Sequence, residues 1–227
     1  YGRDIFGQGY IYKIVEEDEL ADVSKLTKDE KENGIDSSKK VYVPYDKGDK
    51  DGNRWYLETP FAIAWSKENV RFLKTDPKAR YQGYKFYFRE GFCWNNVLNP
   101  EARLLKVRIK GASVNDVGSM SLIPYEQMPS SKFFAAILNS NLLFDFYREF
   151  INCSVNIQIN DIRQLPVVIP TPAQQSTLES LVNKAIRYRK QLEDKGDRVA
   201  VNNQLRAIED EIDSLVAALY SKKRSLN

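Results

Sequence analysis

Apolar and polar positions alternate in short runs along the first half of the chain. YIYKIV from Tyr10, KVYVPY from Lys40 and RWYLE from Arg54 are rich in β-branched and aromatic residues and are separated by Gly- and Asp-rich stretches. Such runs suit a pleated, half-buried surface and predict strands. KGDKDGN at 47–53 predicts a turn. Further strand-like segments fall at 85–89, 104–109 and 119–123. From Ser130 the period changes. Ser130 and Ser131 offer N-caps to FFAAILNSNLLFDFYREF, where Phe134, Ile137, Leu138, Leu142 and Phe146 recur at helical spacing. Asn139, Ser140 and Asn141 bond readily to their own backbone, so the run is expected to break into two helices joined by a tight turn. A polar alternation, CSVNIQIND from Cys153, precedes an apolar strand-like run, LPVVIP from Leu165, closed by Pro170 and Pro172. From Ala173 the pattern is helical again. Leu178, Leu181, Val182, Ala185, Ile186, Arg189 and Leu192 line one face, and a break is expected near Lys195 and Gly196. A second arm carries Leu205, Ile208, Ile212, Leu215 and Leu219 at spacings of three and four, the seam an antiparallel partner buries. The predicted organisation is an α/β domain of mixed α+β type at 1–172 and a coiled-coil-like helical hairpin at 173–227.

Composition narrows the function classes. The 227 residues are 42% hydrophobic, enough for a core, and no stretch approaches the roughly 20 apolar residues of a membrane helix. The opening YGRDIFGQGY lacks the regions of a secretory signal, so a cytoplasmic setting without a membrane is expected. A chain starting at Tyr1 is expected to be a segment of a longer polypeptide. Cys93 and Cys153 sit in unrelated contexts and there is no histidine, which excludes a Cys/His zinc site and Cys–His or Ser–His catalytic pairs. The acid-x-Lys strings at Asp29–Lys31 and Glu193–Lys195 lack a second acid on a neighbouring strand and are not read as nuclease chemistry.

The net charge of +3 is small but unevenly spread. Residues 16–36 are rich in acids and read as a solvated helix or insertion. Residues 71–110 carry ten Lys or Arg against three acids, a net of +7, interleaved with Phe72, Tyr81, Tyr84, Phe86, Tyr87, Phe88, Phe92 and Trp94. Cations among aromatics suit a grip on phosphates, although a charge run also fits a plain solvated face. Phe92 and Trp94 could intrude on DNA, but aromatics beside a glycine on a strand are read as core.

Motif order adds a resemblance. FYFREGFCW from Phe86 looks like the aromatic-Gly-aromatic-x-Trp element of the TaqI-like C-terminal specificity domain. SLIPYEQMPSSKFFAAILNSNLLFDFY from Ser121 resembles the strand, loop and LLNS helix that follow it in that family. INDIRQLPVVIPTPAQQSTLESLV from Ile159 is similar to the passage leading into the family's long helix, and IEDEIDSLVAALY from Ile208 to its closing segment. Across most of its length the chain therefore resembles the target-recognition domain of type IIG restriction-modification proteins and adenine-specific DNA methyltransferases, relatives of type I specificity subunits. The resemblance implies a curved, mixed β-sheet with flanking helices that reads double-stranded DNA. A catalytic methyltransferase domain, in the same chain or a separate subunit, would then transfer a methyl group from S-adenosylmethionine to adenine N6; cleavage by the parent would depend on a further domain. The Asn/Asp-Pro-Pro-Tyr or Phe tetrapeptide and the Gly-rich cofactor loop of that catalytic domain do not occur in this sequence, LNPEAR and FGQG being the nearest strings, and FGQGYIYKI is read as a turn. No cofactor is expected on these residues themselves.

The candidate DNA-binding residues are Lys74, Lys78, Arg80, Lys85, Arg89, Arg103, Lys106, Arg108 and Lys110 for phosphates, with Arg80, Arg89 and Arg108 also able to present a planar fork to guanine. Asn156 and Gln158 suit adenine, or simply satisfy strand ends. Two rival readings stand beside this one: a half-size type I specificity subunit that assembles through its hairpin, and a protein-interaction module without DNA binding.

Overall fold

The structure, a computed structural model, describes residues 11–48, 53–58, 60–77, 79, 81, 83–99, 101–116, 118–193 and 198–221. It is a mixed α+β fold that divides into two compact units. The first contains residues 1–49, 58–90 and 110–120, the second 50–57, 91–109 and 121–227.

In the first unit a four-stranded sheet runs in the order β1, β3, β2, β6, with β1 at Tyr12–Ile14, β2 at Tyr42–Asp46, β3 at Phe61–Ala64 and β6 at Val114–Asn115. β3 pairs antiparallel with both neighbours, Tyr12 opposite Ile63 and Val43 opposite Ile63 on its two edges, whereas β2 and β6 are parallel. Two helices accompany the sheet, α1 at Lys28–Asn33 and α2 at Lys67–Thr75. The core gathers Val43, Tyr45, Ile63, Trp65, Val70 and Leu73. Trp65 is fully buried, and removing an indole from water contributes roughly 4–6 kcal/mol of gross transfer free energy.

The second unit contains β4 at Gly91–Asn95, the middle strand of a sheet ordered β5, β4, β7, whose outer strands, β5 at Arg108–Lys110 and β7 at Ser119–Leu122, each divide between the two units. Gly91 has a steric reason: a Cβ there would lie 2.4 Å from the Leu122 carbonyl oxygen. Phe92 and Trp94 are core, as the sequence predicts, with Phe92 stacked on Phe134 at 5.4 Å. The helical run does split, into α3 at Ser131–Leu138 and α4 at Asn141–Phe146, which continues as a π-helical turn over Tyr147–Ile151. Ser130 caps α3 and Ser140 caps α4. The Asn139 carboxamide, 3% exposed, accepts from Val107 N–H at 2.8 Å and donates to Val107 C=O at 2.7 Å, so the break is pinned to the strand side of the unit. A short helix, α5 at Ile159–Ile162, precedes the hairpin of α6 at Pro172–Glu193 and α7 at Arg198–Ser221. Thr171 and Gln174 form a reciprocal cap at the start of α6, with Pro172 in the first turn. Leu178, Leu181, Val182 and Ala185 of α6 and Leu205, Ile212, Val216 and Leu219 of α7 are buried, and both helices pack on α3. The expected break near Lys195 and Gly196 lies outside the described residues.

Three strand expectations are corrected. Among the described residues, 54–58 make a single bridge, Trp55 to Arg108, and no strand. Residues 85–89 hold a 3-10 turn at Tyr84–Phe86; Gly83 is left-handed at φ +73 and Phe88 has φ +59, which no strand sustains. The LPVVIP run forms no strand, and Val167 and Ile169 are 38% and 62% exposed.

Candidate nucleic-acid interface

The 16–36 stretch contains a local signal that places its lysines. Thr27 Oγ1 accepts from Glu30 N–H at 3.1 Å and Glu30 Oε2 accepts from Thr27 N–H at 2.9 Å, a capping box that starts α1. Lys39 Nζ lies 2.7 Å from Glu30 Oε1. Lys39 first, and the Thr27 N–H and hydroxyl after it, hold the Glu30 carboxyl down at about 2. α1 ends at Gly34, φ +97, where a Cβ would meet Lys67 N at 2.6 Å. Only glycine allows α1 to approach the start of α2 this closely. Ser66 caps α2 by accepting from Asn69 N–H at 3.2 Å. Lys74 Nζ donates to Asn33 Oδ1 at 2.7 Å and ties the far end of α2 to α1. The buried Trp65 indole N–H points at Glu30 C=O and Lys31 C=O, 3.2 Å from each, and so anchors the last turn of α1 to the core.

Residues 83–89 supply the other side of the site. Phe88 N–H donates to Ser113 C=O at 3.0 Å. The ammonium of Lys110 donates to Arg89 C=O at 3.0 Å, Gly111 C=O at 2.8 Å and Ser113 C=O at 3.2 Å. Arg89, exposed, lies over the Phe86 ring at 5.8 Å. Between these walls is a groove of ≈ 690 Å³ lined by Lys28, Lys31, Lys74, Lys85 and Arg89, together with Tyr84, Tyr87 and Phe88. Glu32 is the one acid among the described residues that line it, 3.9 Å from Lys28 across an exposed helix turn. Pairs this exposed neutralise little.

Aromatic rings support the groove from the core. Trp65 stacks on Tyr81 at 6.3 Å and 24°, and Tyr81 on Tyr84 at 5.3 Å and 8°. Tyr87 meets Trp65 edge-on at 5.8 Å and Tyr81 edge-on at 5.9 Å. Burial is the main cause that pushes the Tyr81 phenol up and the Tyr87 phenol up to about 12, so both are neutral near pH 7.

The structure brings Lys74, Lys85 and Arg89 together on this groove. Arg108 and Lys110 are corrections. They stand two apart on β5, share its inward face, and are each 2% exposed. Arg108 Nη1 reaches Asn95 Oδ1 at 3.4 Å, and Lys110 holds the chain at Arg89 as described, so neither offers its charge to a ligand at the surface. Arg103, exposed, and Lys106, half-buried at φ +57, belong to the second unit. So do Asn156 and Gln158, both exposed: Asn156 bridges to Val97, and Gln158 N–H donates to the Asp161 carboxylate at 2.9 Å at the start of α5. Lys78 and Arg80 lie outside the described residues. Sequence reasoning missed Lys28 and Lys31, hidden in a stretch read as acidic. The Thr27-x-x-Glu30 box is the signal that locates their helix, and a three-residue step puts both lysines on one side of it.

No family model matches the sequence, and no curated protein matches it.

Proposed function

We propose that the chain is the DNA target-recognition part of a restriction-modification protein: it binds double-stranded DNA and directs N6-adenine methylation by a catalytic domain outside these residues, which holds S-adenosylmethionine. The setting proposed is the cytoplasm; among the described residues no helix is long and apolar enough to cross a membrane. The motif order supports the family, and one observation carries DNA binding. Lys28, Lys31, Lys74, Lys85 and Arg89 converge on a single groove with Glu32 as the only acid among the described residues that line it. Convergent cations beside aromatic rings suit a sugar-phosphate backbone, whose neutralisation releases counterions and supplies most of the affinity.

Titration of a labelled duplex between about 50 and 200 mM salt tests the reading. The logarithm of the binding constant should fall linearly with the logarithm of salt concentration. Lys85→Ala and Arg89→Ala should each weaken binding about 3- to 10-fold and reduce the slope by about 0.9, the value of one phosphate contact. A chain that ignores duplex DNA at low salt, or variants with an unchanged slope, would remove the reading. Direction of methylation is read separately, by mapping N6-methyladenine in cells with and without the full gene; a short motif should lose its mark.

A further inference from the structure

Tyr84 is a large aromatic side chain 46% exposed to solvent at the rim of a basic groove. An exposed tyrosine alone means little, because single apolar groups on a surface are ordinary. This one is backed. Its inner face lies on Tyr81 at 5.3 Å and 8°, nearly parallel, and Tyr81 lies on the fully buried Trp65. Trp65 is fixed by its bonds to the α1 carbonyls, and Tyr87 closes on the edges of both Trp65 and Tyr81. The column of rings thus rises from the core and ends in one ring with core on one side and solvent on the other. That ring needs no reorganisation to accept a further flat π-system.

The groove around it has the size of a small-ligand site. Its ≈ 690 Å³ falls within the roughly 300–1,000 Å³ that hold single small molecules. A paired helix can lay only its sugar-phosphate backbone along such a groove, whereas one unpaired nucleotide fits inside it. Lys28, Lys31, Lys74, Lys85 and Arg89 put positive charge around the open ring, which is the combination by which single nucleotides are held, the base stacked and the phosphate paired.

We propose that this groove takes one unpaired nucleotide of DNA, its base stacked on the outer face of Tyr84 and its phosphate among Lys85, Arg89 and the lysines of α1. The proposal rests on the DNA-binding reading and adds that the ligand is an extrahelical base next to duplex, with the phenol hydroxyl uninvolved. Stacking on one aromatic ring changes affinity on the order of tenfold.

The test uses the whole 227-residue chain and two labelled duplexes, one fully paired and one carrying 2-aminopurine as a single-nucleotide bulge. The wild type should bind the bulged duplex about tenfold more tightly and quench the fluorescence of the bulged base. Tyr84→Phe, which keeps the ring, should retain both effects. Tyr84→Ala should bring the two affinities together and abolish the quench. Equal affinity for both duplexes in the wild type, or a preference and quench that survive Tyr84→Ala, overturns the proposal while leaving duplex binding intact. Failure to bind either duplex overturns the DNA-binding reading, and this proposal with it.

Discussion

Two stretches of one basic window meet opposite fates. In residues 84–89 Lys85 and Arg89 extend into an open groove, whereas in residues 108–110 Arg108 and Lys110 turn into the interior at 2% exposure each. The sequence separates them by no difference in residue type. What differs is the backbone: a 3-10 turn opened by Gly83 displays its side chains, while the period of two along β5 sends both cations to the face that packs. A density of cations along the sequence is therefore no measure of cations on the surface. A buried lysine can also serve a groove it never enters, because Lys110 fixes the carbonyl of Arg89.

The sharpest way to break this contrast is to replace each of the two lysines in turn. Lys110→Met takes a donor from the carbonyls of Arg89, Gly111 and Ser113, of which Gly111 keeps the Ser113 hydroxyl and Ser113 keeps Phe88 N–H, and a buried unpaired group costs about 1–3 kcal/mol. A loss of about 3 kcal/mol in urea unfolding is expected, against less than about 0.5 kcal/mol for the exposed Lys85→Met. Equal stability of the two variants would erase the distinction between a structural and a displayed cation. A smaller effect, about 2 kcal/mol, is expected for Gly34→Ala, where a positive φ and a backbone contact at 2.6 Å both oppose a side chain. Because α1 carries groove lysines and none of the buried cations of β5, Gly34→Ala should also weaken duplex binding by more than its stability loss predicts. Unfolding and DNA titration of the same preparation check this together. The smallest effect is a pH dependence. Glu30 titrates near 2 in the folded chain against an ordinary 4.5, so its stabilisation of α1 is complete above pH 4.5 and is lost as pH falls towards 2. Unfolding of Glu30→Gln followed over that range should show a shallower decline than wild type, and parallel curves would show that the cap does not hold the lysine wall.

Helical parts of this fold were legible where local chemistry agrees with tertiary packing. Ser130, Ser140 and the polar Asn139 mark the start, break and restart of α3 and α4, and the spacing from Leu178 to Leu219 announces the hairpin. Strands were read less well, because alternation is a weak sign over short runs. Phe86, Tyr87 and Phe88 form an aromatic run between Lys85 and Arg89 yet sit in turns, since Gly83 and Phe88 take positive φ. Leu165 to Pro170 is apolar enough for a buried strand but has no partner strand among the described residues. The groove was legible only in part: Lys85 and Arg89 are neighbours in sequence, whereas α1 arrives more than forty residues earlier, held by Trp65, Gly34 and the Lys74–Asn33 bond. Such a convergence is a property of the folded chain, and no window of sequence contains it.

Trp65 also gives the first unit its own optical signal. Trp55 and Trp94, the remaining tryptophans, belong to the second unit. With both of them replaced by phenylalanine, all indole emission would originate from a ring that is bonded to the end of α1 and stacked beneath the tyrosines of the groove. Its wavelength and lifetime would then report, without any attached label, when that wall of the groove shifts and how fast.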